Sequence, residues 1–252
     1  MQRTGRIRTG LVAIAVLVAA SASSAGGGTA EPTVVSVRDV RFEAGDVLAV
    51  ALHPSTTPIE LSARRLDLEA CPGSWDGGVG TAENSSWPKN DGFTECIPFR
   101  DGTAVLPSAA QGGGAMHLVF AVRARAANAR PGTLTIRYEP ADGFFMVGPP
   151  ALPPDARSPT IVHTPAGDTF AAGTATFEGG DQSAELQDVR LTVRQRGRTV
   201  RRTPSLDDQS VWPAYSPVRP GQPVTVRASN DGSERIRFTI GLEVSSTFRQ
   251  DR

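Results

Sequence analysis

Apolar and polar residues alternate along most of this chain with a period of two. The stretches TVVSVRDVRF (33–42), DVLAVAL (46–52) and IELSARRLDLEAC (59–71) are rich in Val and Leu and are closed by Gly, Pro, Asp or Ser. Alternation over such lengths predicts strands with one face toward a core, because successive side chains of an extended chain point to opposite sides. In the third stretch Leu66, Leu68 and Ala70 alternate with Arg65, Asp67 and Glu69, which turns an apolar face inward and a charged face to water. After Cys96 the pattern resumes. Leu118, Phe120, Val122 and Ala124 alternate along LVFAVRARA, and Leu134, Ile136 and Tyr138 share one face of TLTIRYE. The turn between them, Asn128 to Gly132, predicts a hairpin. Beyond the first residues, no Gly- and Pro-free window of 11 or more has the i, i+3, i+4, i+7 apolar spacing of an amphipathic helix.

Residues 140–159 contain six prolines, and proline-dense segments favour extended, semi-rigid connections. Phe144 to Val147 reads as a last strand before a linker at 148–158. The grammar of the first half then returns: IELSARRLDL (59–68) lines up with AELQDVRLTV (184–193), and GTLTIRYE (132–139) lines up more loosely with ERIRFTIGLE (234–243). The expectation is an all-β chain of two related sandwich domains, 33–147 and 159–248. The stretch GQPVTVRASNDGSERIRFTIGLEV (221–244) resembles the terminal strands of bacterial immunoglobulin-like domains, where a Gly-x-x-Val-x-Val strand meets an Asn-Asp-Gly turn before the next strand. That resemblance implies two tandem immunoglobulin-like β-sandwiches; it carries no functional residues.

The N-terminus changes the picture of where such a chain works. Arg3, Arg6 and Arg8 precede the apolar run LVAIAVLVAA (11–20) and then SASSAGGG, the arrangement of a secretory signal peptide over residues 1–25, cleaved near Ala22 or Ala25. The apolar run is about half of the roughly 20 residues that a membrane span needs. Residues 26–32 are expected to be a disordered lead-in, and no membrane span is expected in the mature chain. A secreted or envelope protein follows. Of the 26 basic residues only Lys89 is lysine, a bias of GC-rich coding that points to a bacterial, actinobacterial-type source. The chain balances 26 basic against 26 acidic residues. Without the three arginines of the signal the remainder is weakly acidic, which excludes a globally basic nucleic-acid binder.

Two cysteines in an exported chain, Cys71 and Cys96, predict one disulfide. The spacing is far from the C-x-x-C of redox pairs. A metal site would need further ligands, while His53 and His117 stand apart from the pair. Closing the polar, glycine-rich loop between the cysteines removes about 3.5 kcal/mol of unfolded-state freedom in the chain-entropy model. Within the loop Trp75, Trp87 and Phe93 are interleaved with Asp76, Asn90 and Asp91. Such a set can stack on a sugar and bond it directionally, or cover a protein partner; the same aromatics can equally fold back as the loop's own small core.

The second candidate is the acid-free run VRLTVRQRGRTVRR (189–202), which predicts a hairpin turning at Gln195 to Arg198. Arg194, Arg196, Arg198, Arg201 and Arg202 form a basic ribbon suited to anionic cell-wall polymers, phospholipid headgroups or polysaccharides. The same charges also suit a solvated strand face that keeps an edge from pairing.

Catalytic signatures are absent: there is no G-x-S-x-G, no H-E-x-x-H, no phosphate-cradling glycine loop and no EF-hand spacing. No catalytic residue, metal or cofactor is expected. The reading is a non-catalytic binding module whose partner is an envelope glycan or anionic polymer. The alternatives are an accessory factor that binds a secreted or surface protein, and a hydrolase whose carboxylate pair or triad only the fold would assemble.

Overall fold

Sequence alternation is realised as buried and exposed faces. In the first strand Val35, Val37 and Val40 are buried, whereas Val34, Arg38 and Asp39 are exposed. A computed structural model of the chain describes residues 32–52, 58–72, 96–107, 118–139, 143–148, 152–165, 169–177, 188–196, 198–202, 210–211, 216–235 and 238–245. Among these residues there are strands and no helix. Up to Gly148 they are β1 (Thr33–Val40), β2 (Val47–Leu52), β3 (Ile59–Arg64), β4 (Leu68–Pro72), β5 (Ile97–Pro98), β6 (Thr103–Leu106), β7 (Leu118–Ala124), β8 (Gly132–Tyr138) and β9 (Gly143–Gly148). Then come β10 (Thr160–His163), β11 (Thr169–Phe177), β12 (Val189–Gln195), β13 (Arg198–Arg202), β14 (Ser210–Val211), β15 (Ser216–Val218), β16 (Val224–Asn230) and β17 (Phe238–Ser245).

The strands make two antiparallel sheets. One runs β13-β12-β16-β10-β1-β8-β3-β6; the other runs β14-β11-β17-β9-β2-β7-β4-β5, with β15 beside β11. Inward residues of both, among them Val37, Leu48, Ile136, Phe145, Ile161 and Leu242, merge into one apolar core. The architecture is therefore a β-sandwich.

Strand pairings recur between the halves. The neighbours β1, β8, β3, β6 are matched by β10, β16, β12, β13. In the other sheet β9 and β2 are matched by β17 and β11. Chain order is kept in every match. Among the described residues β4 and β5, which flank the loop between the cysteines, have no counterpart. Matched strands also meet one another: β1 pairs with β10 (Val37 opposite Ile161) and β9 with β17 (Phe145 opposite Leu242), both antiparallel. Two such self-matched pairings are what a local two-fold relation produces.

This differs from two sandwiches strung on a linker, because each sheet runs through both halves. Of the expected linker, residues 152–158 are bound to β16. Ser158 is fully buried; its N–H donates to the Ala228 carbonyl at 2.9 Å, and its Oγ accepts from the Ala228 N–H at 2.9 Å. Asn230, also fully buried, donates to the Leu152 carbonyl at 3.0 Å and accepts from the Gly232 N–H at 3.0 Å. The pairing also matches β8 with β16 rather than with the stretch 234–243.

Two further expectations change at corners. The run 59–71 is not one strand. Arg65 takes a left-handed φ of 63°, which ends β3 and passes the chain to β4 in the other sheet. Gly132 lets β8 start against this corner, since a Cβ there would sit 2.8 Å from the Arg64 carbonyl oxygen. The expected hairpin of β7 and β8 is likewise a crossing between sheets. Asn128 holds it to the β1–β2 connection: its Oδ1 accepts from Phe42 N–H at 2.6 Å and its Nδ2 donates to the Val40 carbonyl at 2.9 Å.

Candidate polyanion-binding face

At one edge of the eight-stranded sheet β12 and β13 form the hairpin expected from sequence. Val189, Leu191 and Val193 are buried, so Arg190, Thr192 and Arg194 face outward. Arg196 makes the turn with φ 49°, and Arg194, Arg196 and Arg198 are all exposed. Gln195 fixes the hairpin to the neighbouring turn. Its Nε2 donates to the carbonyls of Arg219 and Gln222, each at 3.0 Å, and its Oε1 accepts from the Arg219 N–H at 2.9 Å. This clasp brings the exposed Arg219 to the same rim. None of these four arginines has an acidic partner among the described residues. In register, Arg201 stands opposite Thr192 and Arg202 opposite Leu191.

Three acids at the outer face of this sheet each meet an arginine. Glu60 pairs with Arg137 at 3.8 Å, Asp231 with Arg190 at 3.3 Å and Asp39 with Arg227 at 3.9 Å. Asp39 is the extra residue of a bulge: register shifts between Arg38 and Val40, and Asp39 has φ 61°. An Asp tolerates that conformation better than most residues, and the bulge re-aims its side chain. Exposed pairs like these contribute little to stability. They neutralise these three acids, and Arg38, Arg64 and Arg194 have no acidic partner among the described residues. A groove of about 620 Å³ opens where the halves meet, lined by Asp39, Arg41, Asp46, Arg157, Arg227 and Arg235 among others. Sequence reasoning missed Arg38, Arg64 and Arg227, because they lie on separate strands that only sheet pairing brings together.

The disulfide joins Cys71 to Cys96, with Cα atoms 4.1 Å apart. Beside it Arg123 pairs with Glu69 across β4 and β7, and an Arg123 Nη2 lies 3.5 Å from the Cys96 Sγ. Glu69, Cys71 and Cys96 cluster closely enough to suggest a metal site, but the disulfide removes both thiols as ligands. Trp75, Asp76, Trp87, Asn90, Asp91 and Phe93 lie outside the described residues, as do His53, His117 and residues 1–31, where the signal peptide is expected.

Two titratable groups have unusual surroundings. Tyr138 is buried in the core, its hydroxyl has no hydrogen-bond partner among the described residues, and burial pushes its pKa above the ordinary tyrosine value. Burial lowers the pKa of His163, against the opposing effect of its bond to the Val34 carbonyl.

No family model matches the chain, and no curated protein does. Among solved structures the chain is similar to the crystal structure of an f-lectin (fucolectin) from Morone saxatilis (striped bass) serum, at 9% sequence identity and a TM-score of 0.19, with 86% of this chain and 84% of that chain covered. A likeness at that score says nothing about this chain's ligand.

Proposed function

We propose that this chain is a secreted, non-catalytic binding module of the bacterial envelope or exterior, built of two related immunoglobulin-like halves, and that it holds an anionic polymer at the β12–β13 edge. The observation that carries the reading is the rim of Arg194, Arg196, Arg198 and Arg219, exposed, free of acidic partners among the described residues and clasped in place by Gln195. Guanidinium groups grip carboxylates and phosphates through two parallel N–H···O bonds. The formal net charge of the chain is zero, so this rim is a local patch and not an overall excess. Export is supported by the disulfide, a bond that persists in oxidising compartments. No helix among the described residues is long and apolar enough to cross a membrane.

The test is retention of the purified protein on isolated cell wall at low and high salt. We expect retention that falls as salt rises, because exposed charge contacts are screened, and its loss in the triple variant Arg194→Ala, Arg196→Ala, Arg198→Ala. Retention that ignores salt, or no retention, would overturn the proposal.

A further inference from the structure

The outer face of the eight-stranded sheet carries a pattern that neither half has alone. Arg64 stands opposite Thr133, Thr133 opposite Arg38, and Arg38 opposite Thr160. Across the meeting of the halves the β10–β16 register, with Ile161 opposite Val226, continues to Thr160 opposite Arg227. Both of these reach one Asp39 oxygen, the Thr160 Oγ1 at 3.1 Å and an Arg227 Nη1 at 3.9 Å. Arg227 stands opposite Thr192, and Thr192 opposite Arg201. One row across seven strands thus reads Arg-Thr-Arg-Thr-Arg-Thr-Arg. Its members come from seven separate stretches of sequence, so no local repeat produces the alternation. With strands about 4.8 Å apart, successive arginines are spaced by about 9.6 Å over a row about 29 Å long. A neighbouring row supplies hydroxyls from Ser62, Thr135, Ser36 and Thr225, with Val162 among them.

We propose that this row is the track for a linear acidic polysaccharide in which charged and uncharged sugars alternate, lying across the strands and over both halves. It rests on the polyanion reading above and gives that polymer a chemistry and a direction. A guanidinium holds a carboxylate by paired bonds; the Thr and Ser hydroxyls both donate and accept, as sugar hydroxyls require. A pyranose unit of an extended chain advances about as far as one strand spacing. Acids on alternate sugars therefore keep step with arginines on alternate strands. Asp39 neutralises part of Arg227, so Arg38 and Arg64, exposed and without acidic partners among the described residues, are the principal subsites of the first half. A nucleic acid bears a charge on every unit, at closer intervals, and a lipid surface has no fixed spacing at all.

The experiment measures binding of the full secreted chain to hyaluronan fragments of graded length, which carry a carboxylate on every second sugar. Single-stranded DNA and anionic phospholipid vesicles are compared alongside. We expect affinity to climb with fragment length and level off at about seven sugars, the span of the row. The variant Arg38→Ala, Arg64→Ala should bind long fragments about tenfold or more weaker and lose the length dependence, while short fragments still bind at the hairpin. Unchanged binding of long fragments by that variant, with loss in the Arg194, Arg196, Arg198 triple alanine variant, overturns the track and leaves the hairpin reading standing. Wild-type binding of hyaluronan by both variants overturns both as its site; no binding of hyaluronan by the unaltered chain overturns the track alone, the hairpin reading being decided by retention on cell wall. Tighter binding to vesicles or to DNA than to hyaluronan overturns the polysaccharide as ligand.

Discussion

His163 lies where the halves meet, opposite Val35, with its Nδ1 3.0 Å from the Val34 carbonyl oxygen. That contact needs a proton on Nδ1, so in the neutral ring Nε2 is the bare nitrogen. Burial lowers the pKa from its ordinary 6.5, and the bond to Val34 opposes the shift. A base with a lower pKa in the folded state binds fewer protons there, so its contribution to stability is complete above the unfolded value and is lost as pH falls through the folded one. Thermal unfolding should therefore show falling stability from about pH 6.5 toward pH 5. The loss should be smaller in His163→Asn, whose amide can still donate to Val34; equal losses in the two proteins would refute the assignment. Tyr138 makes the opposite case, a polar atom with no partner among the described residues. Leaving a buried hydroxyl unpaired costs roughly 1–3 kcal/mol. Tyr138→Phe is expected to keep or raise stability, by about 1 kcal/mol, in denaturant titration. A clear loss would mean that the hydroxyl has a partner.

At the scale of elements, the strands were legible and the connections were not. Period-two alternation marked β1, β8 and β12 closely, because a half-buried strand must alternate; β2 and β7 read as apolar runs and also bury Ala49 and Ala121 on their other face. Alternation carries no information about which sheet a strand joins. The run 59–71 keeps its pattern straight through the corner at Arg65, and the turn at Asn128 looks like a hairpin although it carries the chain between sheets. What decides both is distant: Leu66 packs on the core, and Asn128 bonds to Val40 and Phe42, far earlier in sequence. The proline-rich stretch misled for a related reason. Proline fixes an extended backbone, but only the fold reveals that Ser158 has β16 to bond. The candidate site was half legible. The hairpin arginines stand together in sequence, whereas Arg38, Arg64 and Arg227 are gathered only by pairing.

For the whole molecule, the pairing of β1 with β10 and of β9 with β17 means that each half closes an edge of the other. A fragment ending at Gly148 would expose β1 and β9 as unpaired edges, which are templates for another chain. Because matched strands already meet antiparallel, a second copy of the fragment can take the place of the missing half. Residues 33–148 produced alone should form dimers or larger assemblies, as measured by sedimentation; a stable monomer would show that the two edges do not need covering. The shared sheets also bear on binding. Halves on a flexible tether could adjust to many spacings, but a partner would then have to order them, and that ordering weakens affinity. In a continuous sheet the intervals are set before any ligand arrives. The seam makes the molecule a rigid ruler: a chain whose charges fall in step meets every mark at once, and one out of step cannot bend the ruler to fit.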